Sequence, residues 1–286
     1  MTESAIGLIL VAAFAHATWN FLAKKASGGT AFIWLFAALS TLIYFPLALW
    51  IFWAEAPLLG YPQLGFIAVS SVLHSLYYIL LDKGYRTGDL SLIYPLARGT
   101  GPMLSTIGAI IFLDEVPSSI ALCGTLLIGL GIVIIAGNPR TVTKSIARKS
   151  IALSLLCGAM IAGYTLSDKI AVTSFLIPPL LLDWSTNLGR LLLLTPYALK
   201  NWNHVKSQLN SHKLEAISVA ILCPLAYILV LSAMVFSPVS YVAPAREISI
   251  LIGTAMGARL LSEGHIRIRF IGAIAMLIGL GALSIG

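Results

Sequence analysis

The sequence predicts an all-α integral membrane protein: ten transmembrane helices, arranged as two inverted five-helix repeats. Three observations lead there. Of 286 residues, 58% are apolar and only 10% are charged, against roughly 25% charged in a soluble domain. The apolar residues gather into ten stretches, each close to the length of a bilayer crossing. Landmarks of the first half then recur in the second at one constant offset. A mean hydropathy of +0.94 requires an apolar surface as well as an apolar core. At about 20 residues per crossing, ten spans take about 200 residues and leave under about ten for each connection or tail. No extramembrane catalytic or binding domain fits in that remainder.

The stretches are 4–23, 32–53, 63–81, 89–112, 118–136, 150–167, 175–199, 214–235, 238–260 and 266–285. The first follows Met1-Thr2-Glu3-Ser4, which carries an acid and no Lys or Arg. A cleaved signal peptide needs a positive n-region, so this stretch is read as a retained span. Lys24-Lys25 closes it, and Asp82-Lys83-Gly84 closes the third. Asp114-Glu115-Val116-Pro117 parts the fourth from the fifth, and the run from Asn138 to Lys149 parts the fifth from the sixth. Runs this long without period-two alternation argue against a barrel, and a helix satisfies its own backbone in lipid.

Charge sets the orientation. The connections after spans one, three, five, seven and nine hold Lys24, Lys25, Lys83, Arg86, Arg140, Lys144, Arg148, Lys149, Lys200, Lys206, Lys213, Arg259, Arg267 and Arg269, which are 14 of the 18 basic residues. The opposite side holds Lys169, and Arg98, Arg190 and Arg246 fall inside spans. The positive-inside rule makes the basic side cytoplasmic. The net charge of +7 is thereby assigned to loops and not to a nucleic-acid surface. The expected location is the cell (inner) membrane, with both termini on the non-cytoplasmic side.

At an offset of 148, Ala97-Arg98 falls on Ala245-Arg246, Thr106 on Thr254, Glu115 on Glu263, Gly124 on Gly272 and Gly131 on Gly279. Residues 1–137 form the first repeat, 138–149 a basic connecting loop and 150–286 the second repeat. Five spans is an odd number, so the second copy is inverted across the membrane. Inverted repeats mark secondary transporters, with a substrate site near the midplane between the halves.

Phe112-Leu113-Asp114-Glu115 with Gly124 nine residues on, then Leu-Ile-Gly-Leu-Gly at 127–131, is matched by Leu260-Leu261-Ser262-Glu263 and Gly272, with Leu-Ile-Gly-Leu-Gly at 277–281. With His16-Ala17-Thr18-Trp19-Asn20 ahead of Lys24-Lys25, the chain resembles the EamA-type transporters of the drug/metabolite transporter superfamily. The resemblance covers essentially the whole chain. It implies ten spans in two EamA repeats and transport of a metabolite by alternating access; relatives export amino acids and metabolites or import choline. The second repeat departs from the pattern: its first helix has Tyr164 and Asp168-Lys169 but no His or Trp-Asn pair.

Ionisable groups inside a span face a cavity or a partner, because lipid cannot solvate them. Arg98 lies about nine residues into span four, roughly 13 Å deep, near the middle of a core about 30 Å thick. Arg246 has the matching depth in span nine. The pair suits a carboxylate or another oxyanion; alternatively each is neutralised internally, Arg246 by Glu247. Tyr94 sits one turn before Arg98. His16, Trp19 and Asn20 share a face of span one, and His74, Tyr77 and Tyr78 a face of span three. Such polar-aromatic stripes line a cavity or pack helices. Asp183, Asn187 and Arg190 stand at i, i+4 and i+7 of span seven beside Trp184, where Asp183 and Arg190 form a self-neutralising bridge or Asp183, with Glu247, carries a coupled proton. Tyr227 in span eight completes the substrate-binding candidates.

The glycines of spans five and ten read as close packing surfaces and as a route to a homodimer. Cys123, Cys157 and Cys223 sit in apolar runs without metal spacing, so neither metal nor cofactor is expected. No GxSxG, HExxH or Walker pattern is present, so the chain reads as no enzyme and no ATPase. The expected partners are membrane lipid, a small-molecule substrate and a coupled proton. The substrate is expected to be an amino-acid-like zwitterion or a small organic anion. A quaternary amine such as choline in an aromatic-lined pocket is the alternative, and a noncatalytic scaffold is a third reading. The orientation makes one prediction: a C-terminal reporter active only in the cytoplasm will stay silent, and a periplasm-active one will report.

Overall fold

The computed structural model describes residues 2–87, 90–136, 144–252 and 266–286. The helices are α1 (Glu3–Ala26), α2 (Gly29–Glu55), α3 (Tyr61–Thr87), α4 (Leu90–Phe112), α5 (Ser119–Ala136), α6 (Lys144–Thr173), α7 (Pro179–Lys200), α8 (Trp202–Ser211), α9 (Lys213–Phe236), α10 (Val239–Ala245) and α11 (Ile266–Ile285). Residues 248–252 are helical again after α10. No strand occurs among the described residues. Thr254, Arg259, Leu260 to Glu263, Arg140 and the side chain of Tyr94 lie outside them.

Among the described residues, five helices are long and apolar enough to cross a membrane: Glu3–Ala23, Gly29–Glu55, Tyr61–Lys83, Ala152–Thr173 and Lys213–Phe236. Helices α4 and α7, which carry Arg98 and the Asp183–Asn187–Arg190 series, are not among the five. The expected count of ten spans therefore stands against eleven described helices of unequal apolarity. Part of the difference is α8, which occupies the connection after the seventh stretch. Only Val205 of α8 is buried, and the Trp202 ring meets Trp34 of α2 edge-on at 5.9 Å. A short helix lying along its neighbours gives no span-length signal in the sequence.

Local chemistry sets the ends. Thr2 Oγ1 accepts from Ala5 N at 3.3 Å, with Glu3 in the first turn of α1, the usual complement to the positive helix start. Ser27 takes a left-handed conformation (φ 45°) and returns its N–H to Ala23 O, which stops α1.

The polarity is inverted relative to a soluble protein. Trp50, Trp53, Phe112 and Leu192 face outward. Arg98, Asp168, Asp183, Arg190, Arg246 and Glu247 are buried. Lipid on the outside and a polar seam between helices account for both.

The principal pairings are α1 with α9, α3 with α6, α2 with α7, α4 with α6, and α5 with α11. Pro224 of α9 cannot donate to Ala220 O, and the Ser40 hydroxyl of α2 donates to that oxygen instead, at 2.9 Å. Tyr44 Oη donates to the next carbonyl, Ile221 O, at 2.7 Å. Helix α2 thus repairs the gap a proline opens in its neighbour, as lipid cannot.

The glycines of α5 and α11 face one another inside the chain. A Cβ on Gly124 would stand 2.7 Å from Gly279 O, and one on Gly131 2.6 Å from Gly272 O. These faces, considered above for a second copy, are occupied within one molecule. Gly131→Ala is accordingly expected to cost about 1–3 kcal/mol by overpacking a backbone contact. Nothing lies within 4 Å of a Cβ on Gly281, so Gly281→Ala is expected to be neutral or to gain about 0.5–1 kcal/mol. Thermal unfolding of the two purified variants in detergent compares them.

Candidate functional site

The helix that begins at Val239 breaks where its charges are. Pro244 has no N–H to give, and Arg246-Glu247 form a turn between α10 and residues 248–252. Hydrogen bonds there shorten to three-residue steps: Glu247 N to Pro244 O, Ser249 N to Arg246 O and Ile250 N to Glu247 O. Glu247 lies at this break, 1% exposed, and its carboxylate joins two guanidiniums. Arg98 Nε donates to Oε2 at 2.8 Å and Arg246 Nε to Oε1 at 3.2 Å. Arg98 also donates from Nη2 to Ser249 Oγ at 3.1 Å, and its Nη1 lies 2.7 Å from His16 Nε2 of α1. Against a guanidinium, which has no acceptor, that imidazole nitrogen serves as the acceptor. Arg246 Nη1 reaches Thr165 Oγ1 of α6 at 3.4 Å, and its Nη2 is buried without a partner.

A second group lies on α3, α6, α7 and α9. His74 stacks on Tyr164 with ring centroids 3.9 Å apart, and Tyr227 meets both rings edge-on. His74 Nδ1 lies 3.2 Å from Ser70 Oγ, which accepts from Thr186 Oγ1 at 3.1 Å. Tyr227 Oη donates to Asp168 Oδ2 at 2.6 Å, while Asp168 Oδ1 is buried without a partner. Tyr77 and Tyr78 continue the aromatic wall. Arg190 lies over the Tyr78 ring at 4.4 Å and near Phe36 at 5.6 Å. Its Nε and Nη1 have no acceptor.

Residues 3–137 match the model of the EamA-like transporter family. Over that stretch, just under half of its length, the chain is similar to this family. The fold of the whole chain is similar to a solved structure described as "Crystal structure of protein", with a TM-score of 0.80 and 12% identity. That similarity covers 100% of this chain and 98% of the other. No curated protein matches the sequence. The chain is thus a membrane protein with an EamA-like first half and an inside-out distribution of charge.

Of the residues singled out in the sequence, His16, Arg98, Arg246 and Glu247 meet in one network. His74, Tyr77, Tyr78, Tyr227 and Arg190 border the aromatic wall. Trp19 packs between His16 and Tyr78, 3% exposed and with Nε1 unpartnered. Asn20 turns its amide to His16 O of its own helix. Trp184 donates to Thr41 O and packs beside Phe45, so it belongs to the α2–α7 contact. The Asp183–Arg190 bridge does not form: Asn187 Nδ2 donates to Asp183 Oδ2 at 2.9 Å, and Arg190 rests on rings.

The sequence gives Asp168, Thr165, Ser249 and Glu115 no place among the site candidates. The sixth apolar stretch ends on hydropathy at 167, one residue short of Asp168; α6 runs on to Thr173 and carries Asp168 with it. The Tyr164–Asp168 spacing of one turn was the available signal. Glu115, read as a loop acid, receives Val239 N at 2.7 Å and Ser240 N at 2.9 Å, capping the start of α10 from the α4–α5 connection. Lys169 donates to Met234 O and Ser237 O at the end of α9. Among the described residues no His, Cys, Asp or Glu cluster could hold a metal ion.

Breaking the arginine–glutamate network leaves buried charge uncompensated. Glu247→Gln is expected to destabilise the protein by about 3–5 kcal/mol, read as a fall in unfolding midpoint and in monodisperse yield.

Proposed function

We propose that the chain is a secondary active or facilitative transporter. It would move a small polar metabolite, an amino-acid-like zwitterion or a small organic anion, across the cytoplasmic membrane. One observation carries the substrate class: the buried seam holds charge and hydrogen-bonding capacity that the chain itself leaves unmet. Arg190 keeps two nitrogens without acceptors and Arg246 one, and Asp168 keeps one oxygen without a donor. Each such group costs about 1–3 kcal/mol when left unsatisfied, more when charged. A ligand bearing an oxyanion answers the arginines.

Alternating access between two inverted repeats is supported by how the helices exchange partners. The pairing of α1 with α9 answers that of α6 with α3 when the halves are swapped. Gly124 meets Gly279 and Gly131 meets Gly272, although the offset equates 124 with 272 and 131 with 279. A two-fold relation between halves produces such reciprocal contacts. The interrupted helix at Arg246-Glu247 matches the broken helices that form transporter sites near the midplane. For proton coupling, Asp183 is the better candidate, since Glu247 is engaged as the bridge between arginines.

Counterflow of labelled amino acids and organic acids into liposomes holding the purified protein tests the reading. Arg190→Gln is expected to reduce counterflow about tenfold or more while folded yield holds, because what the fold gives up is contact with the Tyr78 and Phe36 rings. Counterflow unchanged in Arg190→Gln would remove that residue from the site. Absence of counterflow for every compound would remove the transporter reading.

A further inference from the structure

We infer that Asp168, together with the rings of Tyr227, Tyr164 and His74, is the subsite for a primary ammonium group of the substrate. The inference rests on the transporter reading and narrows it from zwitterion or anion to zwitterion. Asp168 is fully buried, on a helix that crosses the membrane by length and composition. Tyr227 donates to Oδ2 and the Ser70 hydroxyl also faces the carboxylate, but Oδ1 is left without a partner. An ionised carboxylate in so dry a setting requires a cation or further donors.

The chain withholds the obvious cation. Lys169 is adjacent in sequence, but its ammonium is spent on Met234 O and Ser237 O at the end of α9. Arg246 turns its Nε to Glu247 and its Nη1 to Thr165, one turn back on α6. Arg98 is engaged with Glu247, Ser249 and His16. No ion pair to Asp168 forms among the described residues.

The surroundings fit a cation brought from outside. Three rings gather beside the carboxylate: Tyr227, bonded to it, lies 5.1 Å from His74 and 5.8 Å from Tyr164, centroid to centroid. Aromatic faces attract an ammonium. The free oxygen needs an N–H, which a primary ammonium has and a trimethylammonium lacks. Arg190, at the far end of the same aromatic wall, keeps nitrogens for the opposite charge. The wall therefore presents an acceptor at one end and a donor at the other.

The test uses purified full-length protein and three probe sets on shared carbon skeletons: α-amino acids, the matching α-hydroxy acids and the matching N-trimethyl betaines. Binding is read by calorimetry and by the shift in unfolding midpoint. We expect at least one amino acid to bind saturably, with its hydroxy acid and betaine weaker by about tenfold or more. Asp168→Asn, which keeps the acceptor for Tyr227, should weaken the amino acid by a similar factor, and Tyr227→Phe by less. The wild-type preference decides the question even if Asp168→Asn fails to fold. Equal binding of the hydroxy acid or the betaine would overturn the inference, as would unchanged amino-acid binding by Asp168→Asn, the outcome expected of an oxygen that only holds buried water. If hydroxy acids bind and Arg190→Gln abolishes that binding, the transporter reading survives and the ammonium subsite does not. If no probe binds and none shows counterflow, both fall.

Discussion

Glu247 sits where a helix has been interrupted, and its carboxylate is the joint between Arg98 and Arg246. A guanidinium in the middle of a membrane has neither water nor counterion to stabilise it, so its tolerated positions are those where the protein supplies an anion. Here one anion serves two cations. That shared use ties α4 to the second half of the chain, and through His16 it ties in α1 as well. Because Pro244 has already broken the ladder, the backbone at 246–247 is free to aim both side chains inward. The remaining charge of the network rests on Arg246, whose unpartnered nitrogen is left for something other than this carboxylate.

The same constraint, a backbone and charges that lipid will not solvate, explains features far from the arginines. Ser40 supplies the hydrogen bond that Pro224 withholds from Ala220 O. Glu115 supplies acceptors to the first N–H groups of α10, and Lys169 supplies a donor to the last carbonyls of α9. Together they fasten the α9–α10 connection from both sides, so the break at Arg246-Glu247 is held at its outer end by residues of α6 and of the α4–α5 connection. The glycine crossing of α5 and α11 does the equivalent with packing. With no Cβ at 124, 131 or 279, backbones approach to distances that any side chain would forbid.

Much of this was legible in residues alone. Scarce charge and long apolar runs give a helical membrane protein, and the depth of Arg98 and Arg246 in their stretches gives their burial. What was not legible depended on boundaries and partners. Asp168 was hidden because hydropathy falls at Ser167-Asp168-Lys169, although the helix continues; only packing against α3 and α9 makes a membrane-embedded carboxylate tolerable there. Helix α8 was missed because a ten-residue helix with one buried side chain carries no span signal. Trp184 shares a helix with Arg190, yet its rotation about the axis sends it to α2.

The sequence by itself determined the solvent: composition decides that this chain faces lipid. Tertiary structure decided the pairings. That Arg190 lies on rings, that Glu247 sits between two arginines and that the glycines of α5 and α11 face each other all turned on distances across helices. Spacing along a helix says which residues share a face, but not which neighbour that face will meet. In a medium without water, that neighbour decides whether a buried charge is braced by the protein or left open to a ligand.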